Sequence, residues 1–401
     1  FLATLIPMNQ IRQKAGELGV VRRRRKLDIV PFVVFILLTL CGHERQSLSG
    51  LHRAWLLTGG VHLARSAFLG RFNKPLDRLV AWMLDEVVEG SKRTRVKQTG
   101  LLAAFDDVVA FDSSVIKVDD SLASVWKGTK SAAGVKVHTW VRALTGELLR
   151  YRITAEAYGD PRGLGFQRHL VKGRLFLFDR GYSSPSFWWK IHRFGGYFLT
   201  RLPAGHNPVI IEENVTLRGA ARSLVHLQLR RASVGLRRQV LDVQASFHVK
   251  VRPYRKKKGS IRRQSFRVVG LLHPETGERH FYATNIPLTL ASADQMRPLY
   301  RLRWEVETFY KTGKSGLGLA EIGVRTPHVV RTLVRAALLR HSLAMQAKCL
   351  AENTLPKKRW INPGKWVKVW VVAMRSLIVG ICWPERALEH GLSWGRLAAL
   401  P

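Results

Sequence analysis

Leu175-Phe-Leu-Phe-Asp-Arg-Gly-Tyr182 decides the architecture of this chain. Four consecutive apolar residues leave no polar face, so the segment is expected to be a central strand covered on both sides. The strand stops on an acid, Asp179. Upstream, Val108-Val-Ala-Phe-Asp112 repeats the pattern, a buried strand that ends on Asp112. Between the two, residues 135–144 and 148–155 read as strands joined at Thr145-Gly146, a hairpin-type turn. Downstream, a helix is expected from Pro185 to Phe194 and a fifth strand from Tyr197 to Leu202. Three strands in a meander followed by two with interposed helices is the order of an RNase H-like sheet, in which the first and fourth strands are neighbours.

The flanks have other textures. Residues 1–100 read as helices. Met8, Ile11, Ala15 and Leu18 recur at helical spacing before Gly19, Asp28 can cap the apolar run that follows it, and Asn73 can cap a helix ending at Gly90. The run Arg22–Arg25 suits either a DNA-gripping element or a solvated turn. Residues 204–287 alternate Val, Leu and Arg, which predicts a β-rich insertion. Within 214–274 there are 15 Lys or Arg against one acid, Asp242. The densest part holds Arg255, Lys256, Lys257 and Lys258, followed by Arg262, Arg263 and Arg267; Tyr254 and Phe266 interleave with it, pointing to an ordered phosphate-binding surface. Ser292 can cap a helix running to about Lys314, and residues 346–401 look helical and basic, their Trp residues serving as core anchors. The organisation expected is therefore helical 1–100, a core in two parts at 101–203 and 288–345, the insertion at 204–287, and a helical tail at 346–401.

Composition narrows the function. The 401 residues carry 66 Lys plus Arg against 28 Asp plus Glu, a formal charge of +38. That is far beyond the roughly 2–8 charges that solubility asks of a small domain, and it points to a polyanionic partner. With 46% hydrophobic residues, 12 Trp and 17 Phe, the chain is not a disordered one. The longest apolar run, Ile29 to Cys41, has 13 residues and contains Pro31, too short for the roughly 20 a spanning helix needs. Cys41, Cys349 and Cys382 form no CxxC pair, which argues for a reducing compartment and against a zinc or disulfide framework. The chain begins at Phe1 rather than Met, which leaves room for residues before it.

Acids are scarce, so those that end buried strands stand out. Two neighbouring carboxylates repel, and the physical solutions are a nearby Arg or a divalent metal. A third acid lies on the late helix. Tyr300, Arg303, Glu307 and Lys314 project at roughly 0°, 300°, 340° and 320° on a helical wheel, one stripe flanking the side of Leu302, Val306 and Phe309 at roughly 180–240°. Glu305 falls well away from it. Asp106, Asp107, Asp119 and Asp120 read as turn or loop residues, Asp160 as a helix cap, and His138 as a strand residue.

Tyr300-x2-Arg303-x3-Glu307-x6-Lys314 resembles the YREK signature of a group of bacterial insertion-sequence transposases of the DDE type. Tyr300-Arg-Leu-Arg-Trp-Glu-Val-Glu307 is similar to that group's YxxRWxxE segment, and Phe178-Asp-Arg-Gly-Tyr182 and Val109-Ala-Phe-Asp112 to its Asp motifs. Gly134-Val-Lys-Val-His138 is similar to the strand after the first Asp. The likeness spans roughly 101–345. It implies an RNase H-like mixed α/β core interrupted by a β-rich insertion, with Asp112, Asp179 and Glu307 as catalytic residues holding two Mg2+ ions (Mn2+ as a substitute). It assigns Tyr300, Arg303 and Lys314 to the DNA backbone; Arg255, Lys256, Lys257, Lys258, Arg262 and Arg263 join them on composition. It further implies terminal-repeat binding, strand transfer into target DNA, a homodimer, and a cytoplasmic, nucleoid-associated protein. In related enzymes an aromatic residue of the insertion stacks on a flipped base; no Trp lies in 204–287, and Tyr254 is the nearest candidate. A catalytically inactive, transposase-derived DNA-binding protein is the alternative, and an RNA-binding scaffold a third reading that leaves the three acids unexplained.

Overall fold

The computed structural model describes the chain except residues 1–5, 22–27, 40–46, 58–60, 94–97, 160–167, 183, 215–222, 237, 252–259, 317, 319–320, 355–359 and 383–401. Arg22–Arg25, Asp160, Tyr254, Arg255, Lys256, Lys257, Lys258, Trp383 and Trp394 thus lie outside the described residues. The protein is a mixed α/β molecule built on one sheet whose order is β3-β2-β1-β4-β5-β9-β8-β7-β6. The strands are β1 (Val108–Val118), β2 (Gly134–Arg142), β3 (Leu148–Ala155), β4 (Leu175–Phe178), β5 (Tyr197–Arg201), β6 (Val209–Glu213), β7 (Val240–Val251), β8 (Ser260–Leu272), β9 (Arg279–Thr284) and β10 (Glu321–Ile322), the last paired with β1.

The first three strands form an antiparallel meander, and β4 and β5 follow parallel to β1. Gly146 takes φ 76° in the turn between β2 and β3, a conformation any side chain would strain. The described part of segment 204–287 is β-rich and includes a short helix, α7 (Leu229–Ser233). Its sheet is not separate from the core. β9 pairs antiparallel with β5, so the insertion continues the sheet past its fifth strand.

Helices cover both faces. N-terminal α1 (Met8–Glu17), α2 (Ile29–Thr39), α3 (Leu48–Leu57), α4 (Arg65–Leu69) and α5 (Lys74–Arg93) pack with the long α10 (Pro327–Thr354) and with α11 (Pro363–Cys382). Asp28 Oδ1 accepts from Val30 N and Asn73 Oδ1 from Leu76 N, the expected caps. α5 runs past Gly90 to Arg93, and α10 runs unbroken across position 345, where a domain boundary was expected. On the other face α6 (Pro185–Arg193) buries Phe187, Trp188 and Ile191 against Phe178, Phe198 and Phe266. Trp360 is exposed rather than a core anchor. Among the described residues no helix is long and apolar enough to cross a membrane.

Two expectations fail locally. Asp112 does not end its strand; β1 continues six residues beyond it, paired with β2 as far as Lys117. The late helix is two helices, α8 (Met296–Arg301) and α9 (Trp304–Gly316), broken at Leu302–Arg303 where Arg303 N bonds back to the Tyr300 carbonyl. Ser292 caps neither. The wheel that joined Tyr300 to Glu307 therefore crosses a bend.

Candidate active site

Strand register brings the site together. β1 and β4 pair in parallel at Phe111 and Phe178, and β4 and β5 at Phe178 and Thr200. The next residues in each strand direction are Asp112, Asp179 and Arg201, which therefore stand in a row at strand spacing, about 4.8 Å per step. The row extends both ways, because Thr139 pairs with Asp112 and Tyr282 with Arg201. Side chains alternate across a sheet. Val109, Phe111, Phe176 and Phe178 face the α6 core, whereas Val108, Ala110, Leu175 and Leu177 face the opposite one. Continued by one residue, that alternation turns Asp112 and Asp179 towards the second core, the one that also holds Val306, Phe309 and Tyr310 of α9.

α9 is thus laid across the row, and its amphipathic pattern explains why. Val306, Phe309, Tyr310 and Gly313 are buried, while Glu307 stays partly exposed. Tyr310 is tied to the sheet: its hydroxyl takes a bond from Thr139 Oγ1 at 2.8 Å, donates to the Val137 carbonyl at 2.7 Å, and lies 3.3 Å from the Asp112 carbonyl.

Arg303 links the acids electrostatically. Its Nη2 lies 2.5 Å from Glu307 Oε1, with the guanidinium 5.6 Å from the Tyr300 ring. Burial opposes the guanidinium charge, but Tyr300, Glu307 and Asp179 outweigh it and raise its pKa. Burial also pushes the Tyr300 phenol up to about 12, with Asp179 adding to the rise. Tyr282 meets the Tyr300 ring edge-on at 5.5 Å. Asp112 Oδ1 accepts from Ser113 N at 2.7 Å. Lys314 sits on α9 seven residues past Glu307, about 10.5 Å along the axis and on nearly the same face.

Beside the row opens a cavity of about 790 Å3 whose lining includes Arg201, Arg297, Tyr300, Arg301, Arg303 and Trp304, with His273 and His280. The 64%-exposed Trp304 is the Trp of the Tyr300–Glu307 segment, while Arg201 and Arg297 escaped the sequence reading. Arg201 was within reach of it, since it ends the fifth strand as Asp179 ends the fourth.

Several other acids are engaged elsewhere. Asp107 and Glu147 share Arg142 in a buried cluster. Asp119 takes bonds from Ser121 and an ion pair from Arg325, which hold its carboxyl down to about 2. Glu305 lies near Lys348 and Glu352, and burial raises its pKa. His138 lies in β2 with Nε2 2.9 Å from Thr154 Oγ1. Arg262 and Arg263 are exposed on β8. Arg267 is not part of a phosphate surface; it is buried, paired with Asp242 and bonded to the Ile286 and Ala291 carbonyls, and Phe266 is likewise core.

The donor set Asp112, Asp179 and Glu307 suits a hard divalent cation, for which carboxylate oxygens are natural ligands. Among the described residues no three His, Cys, Asp or Glu side chains converge closely enough to hold a metal ion. Glu307 is engaged by Arg303 instead. The donor chemistry fits, and a closed ligand shell would need Glu307 released from that pair.

Residues 103–342 match the family described as Transposase DDE domain. The chain is similar to the transposase for insertion sequence element IS231C of Bacillus thuringiensis subsp. berliner, 22% identical over 341 residues, covering 76% of this chain and 70% of the relative. It is also similar to the transposase for insertion sequence element IS231E of Bacillus thuringiensis subsp. finitimus, 23% identical over 340 residues, covering 75% and 69%. Among solved structures it resembles the piggyBac transposase synaptic complex with hairpin DNA at TM-score 0.45 and 10% identity, covering 98% of this chain and 81% of that one. The matched span contains Asp112, Asp179 and the whole of α9, and the chain belongs to the Transposase DDE domain family.

Proposed function

We propose that the chain is a DNA transposase that binds the terminal inverted repeats of an insertion sequence, cleaves there, and transfers the cut strands into target DNA. The observation that carries this reading is the side-by-side placement of Asp112 and Asp179 beneath the helix that bears Glu307. The order β3-β2-β1-β4-β5 supports an RNase H-like core at 101–203 and 288–345, with 204–287 inserted, 1–100 as a DNA-binding region and 346–401 as a tail.

Asp112, Asp179 and Glu307 would hold two divalent ions, Mg2+ with Mn2+ as a substitute. Bound there, the ions supply Lewis-acid stabilisation of the charge that develops on the attacking and leaving oxygens. The chain's own residues do the positioning. Tyr310 fixes α9 over β1. Arg303 and Tyr300 present a guanidinium and a phenol to backbone phosphates, and Lys314 adds a point charge further along. Arg262 and Arg263, with Arg255, Lys256, Lys257 and Lys258 in the sequence beside them, add to the grip, so binding weakens steeply with salt. Two copies would pair two element ends as a homodimer, in the cytoplasm at the nucleoid.

Asp179→Asn tests the reading. The expected result is loss of Mg2+-dependent nicking of end DNA with binding nearly intact. Equal nicking by the variant would overturn the site. Absence of nicking by the unsubstituted chain with either metal would favour a catalytically inactive DNA-binding protein.

A further inference from the structure

β7 and β8 outrun the sheet that holds them. β6 pairs with β7 at Val209–Ser246 and Ile210–Ala245 but no further along it, and β9 pairs with β8 only from Arg267 onwards. The segments 247–251 and 260–266 therefore pair only with each other, as a two-stranded antiparallel ribbon. Its two faces differ. Phe247, Val249 and Phe266 face inward, where Trp188 of α6 packs on Phe247 at 5.4 Å and on Phe266 at 6.0 Å. Lys250 N donates to Ser186 Oγ at 2.7 Å, which ties the ribbon's outer part to the same helix.

The outward face is set by three cross-strand pairs, Ser246–Ser265, His248–Arg263 and Lys250–Ile261. His248, Lys250, Ile261, Arg263 and Ser265 are exposed, Ile261 by 66%. Among the described residues of the ribbon no acid stands on this face. A surface built only to grip phosphates has no use for a solvent-exposed Ile two residues from its central His248–Arg263 pair. Base edges do, because the thymine methyl is the apolar feature of the major groove, while a forked guanidinium matches guanine and hydroxyls match several edges. A two-stranded ribbon also has the width that the groove admits, about 12 Å.

We propose that this ribbon reads base sequence in the major groove of duplex DNA, with Arg263 the principal reader, Ile261 packing on a thymine methyl, and Arg262 on the reverse face contacting phosphate. The inference rests on the reading of the chain as a DNA-acting enzyme and adds to it the element that distinguishes one sequence from another.

The test uses the full chain and fluorescence anisotropy at fixed salt. The probes are a duplex of the inverted repeat flanking the gene and a shuffled duplex of the same composition. Arg263→Lys keeps the charge and removes the fork. It should lower the preference for the repeat, read as the ratio of the two affinities, by roughly tenfold or more. Arg262→Ala should weaken both duplexes equally. Replacing thymine by deoxyuridine should weaken the unsubstituted chain and leave Ile261→Ala unaffected. Full preference retained by Arg263→Lys, or equal losses on both duplexes, would overturn the ribbon's role. No preference in the unsubstituted chain would overturn terminal-repeat recognition itself, which separates failure of the ribbon from failure of the function.

Discussion

The hydroxyl of Tyr310 lies 3.3 Å from the main-chain carbonyl of Asp112, so the helix that carries Glu307 is fixed to the strand that carries Asp112. The same oxygen satisfies Thr139 and Val137, which makes it the meeting point of α9, β1 and β2. Tyr310→Phe keeps the packed ring and removes the oxygen, leaving the buried Thr139 hydroxyl without that acceptor. A stability loss of about 1–3 kcal/mol is expected. Freed of its tether, α9 shifts Glu307 relative to the aspartates, and a misplacement of about 1 Å can cost on the order of a hundredfold in rate. Thermal melts and nicking assays should show both losses with DNA affinity unchanged. A folded variant that nicks at the original rate would show that the tether does not position the acid.

Arg303 and Glu307 form an i, i+4 pair in which the guanidinium is 12% exposed and the carboxylate 36% exposed. A cation arriving at Glu307 must displace or share that partner. Arg303→Gln should therefore tighten Mn2+ binding to the DNA-free protein severalfold, followed by Trp304 fluorescence or by the free Mn2+ signal in electron paramagnetic resonance. The same substitution should weaken binding to DNA, because one phosphate donor is lost. Unchanged Mn2+ affinity would mean that the pair does not compete with the metal.

What could be read from sequence follows from the range of each interaction. Strands announce themselves by local apolar runs, so β3, β4, β5 and α6 fall where the residues put them, while β1 starts where expected and runs on past its apolar stretch. The row Asp112–Asp179–Arg201 required register, a non-local property, yet Arg201 needed only the fifth strand's end to be counted as the fourth's was. The bend at Leu302–Arg303 has no Gly or Pro to mark it. Arg267 shows the opposite limit: a charge count treats all basic residues of a run alike, while burial separates one of them. Its signal was Asp242, the sole acid in that stretch, which is its partner.

His341 lies beneath α9, its ring stacked 3.9 Å from Phe309 and its Nε2 3.1 Å from Thr312 Oγ1. Burial, reinforced by the charge of Arg340, pushes its pKa down to about 3. An exposed imidazole in the unfolded chain titrates near 6.5. The folded state therefore binds the proton less well, and its stabilising contribution is complete above about pH 6.5 and lost as the pH falls towards 3. Within that window the slope is about 1.4 kcal/mol per pH unit for one group. Between pH 7 and pH 5 the melting temperature should fall accordingly, before most carboxylates begin to titrate. His341→Phe keeps an aromatic ring against Phe309 and removes the titration, so its melting temperature should vary less over the same interval, whatever its absolute value. Parallel pH profiles for the two proteins would mean that His341 is not the group that makes the Glu307 helix acid-sensitive.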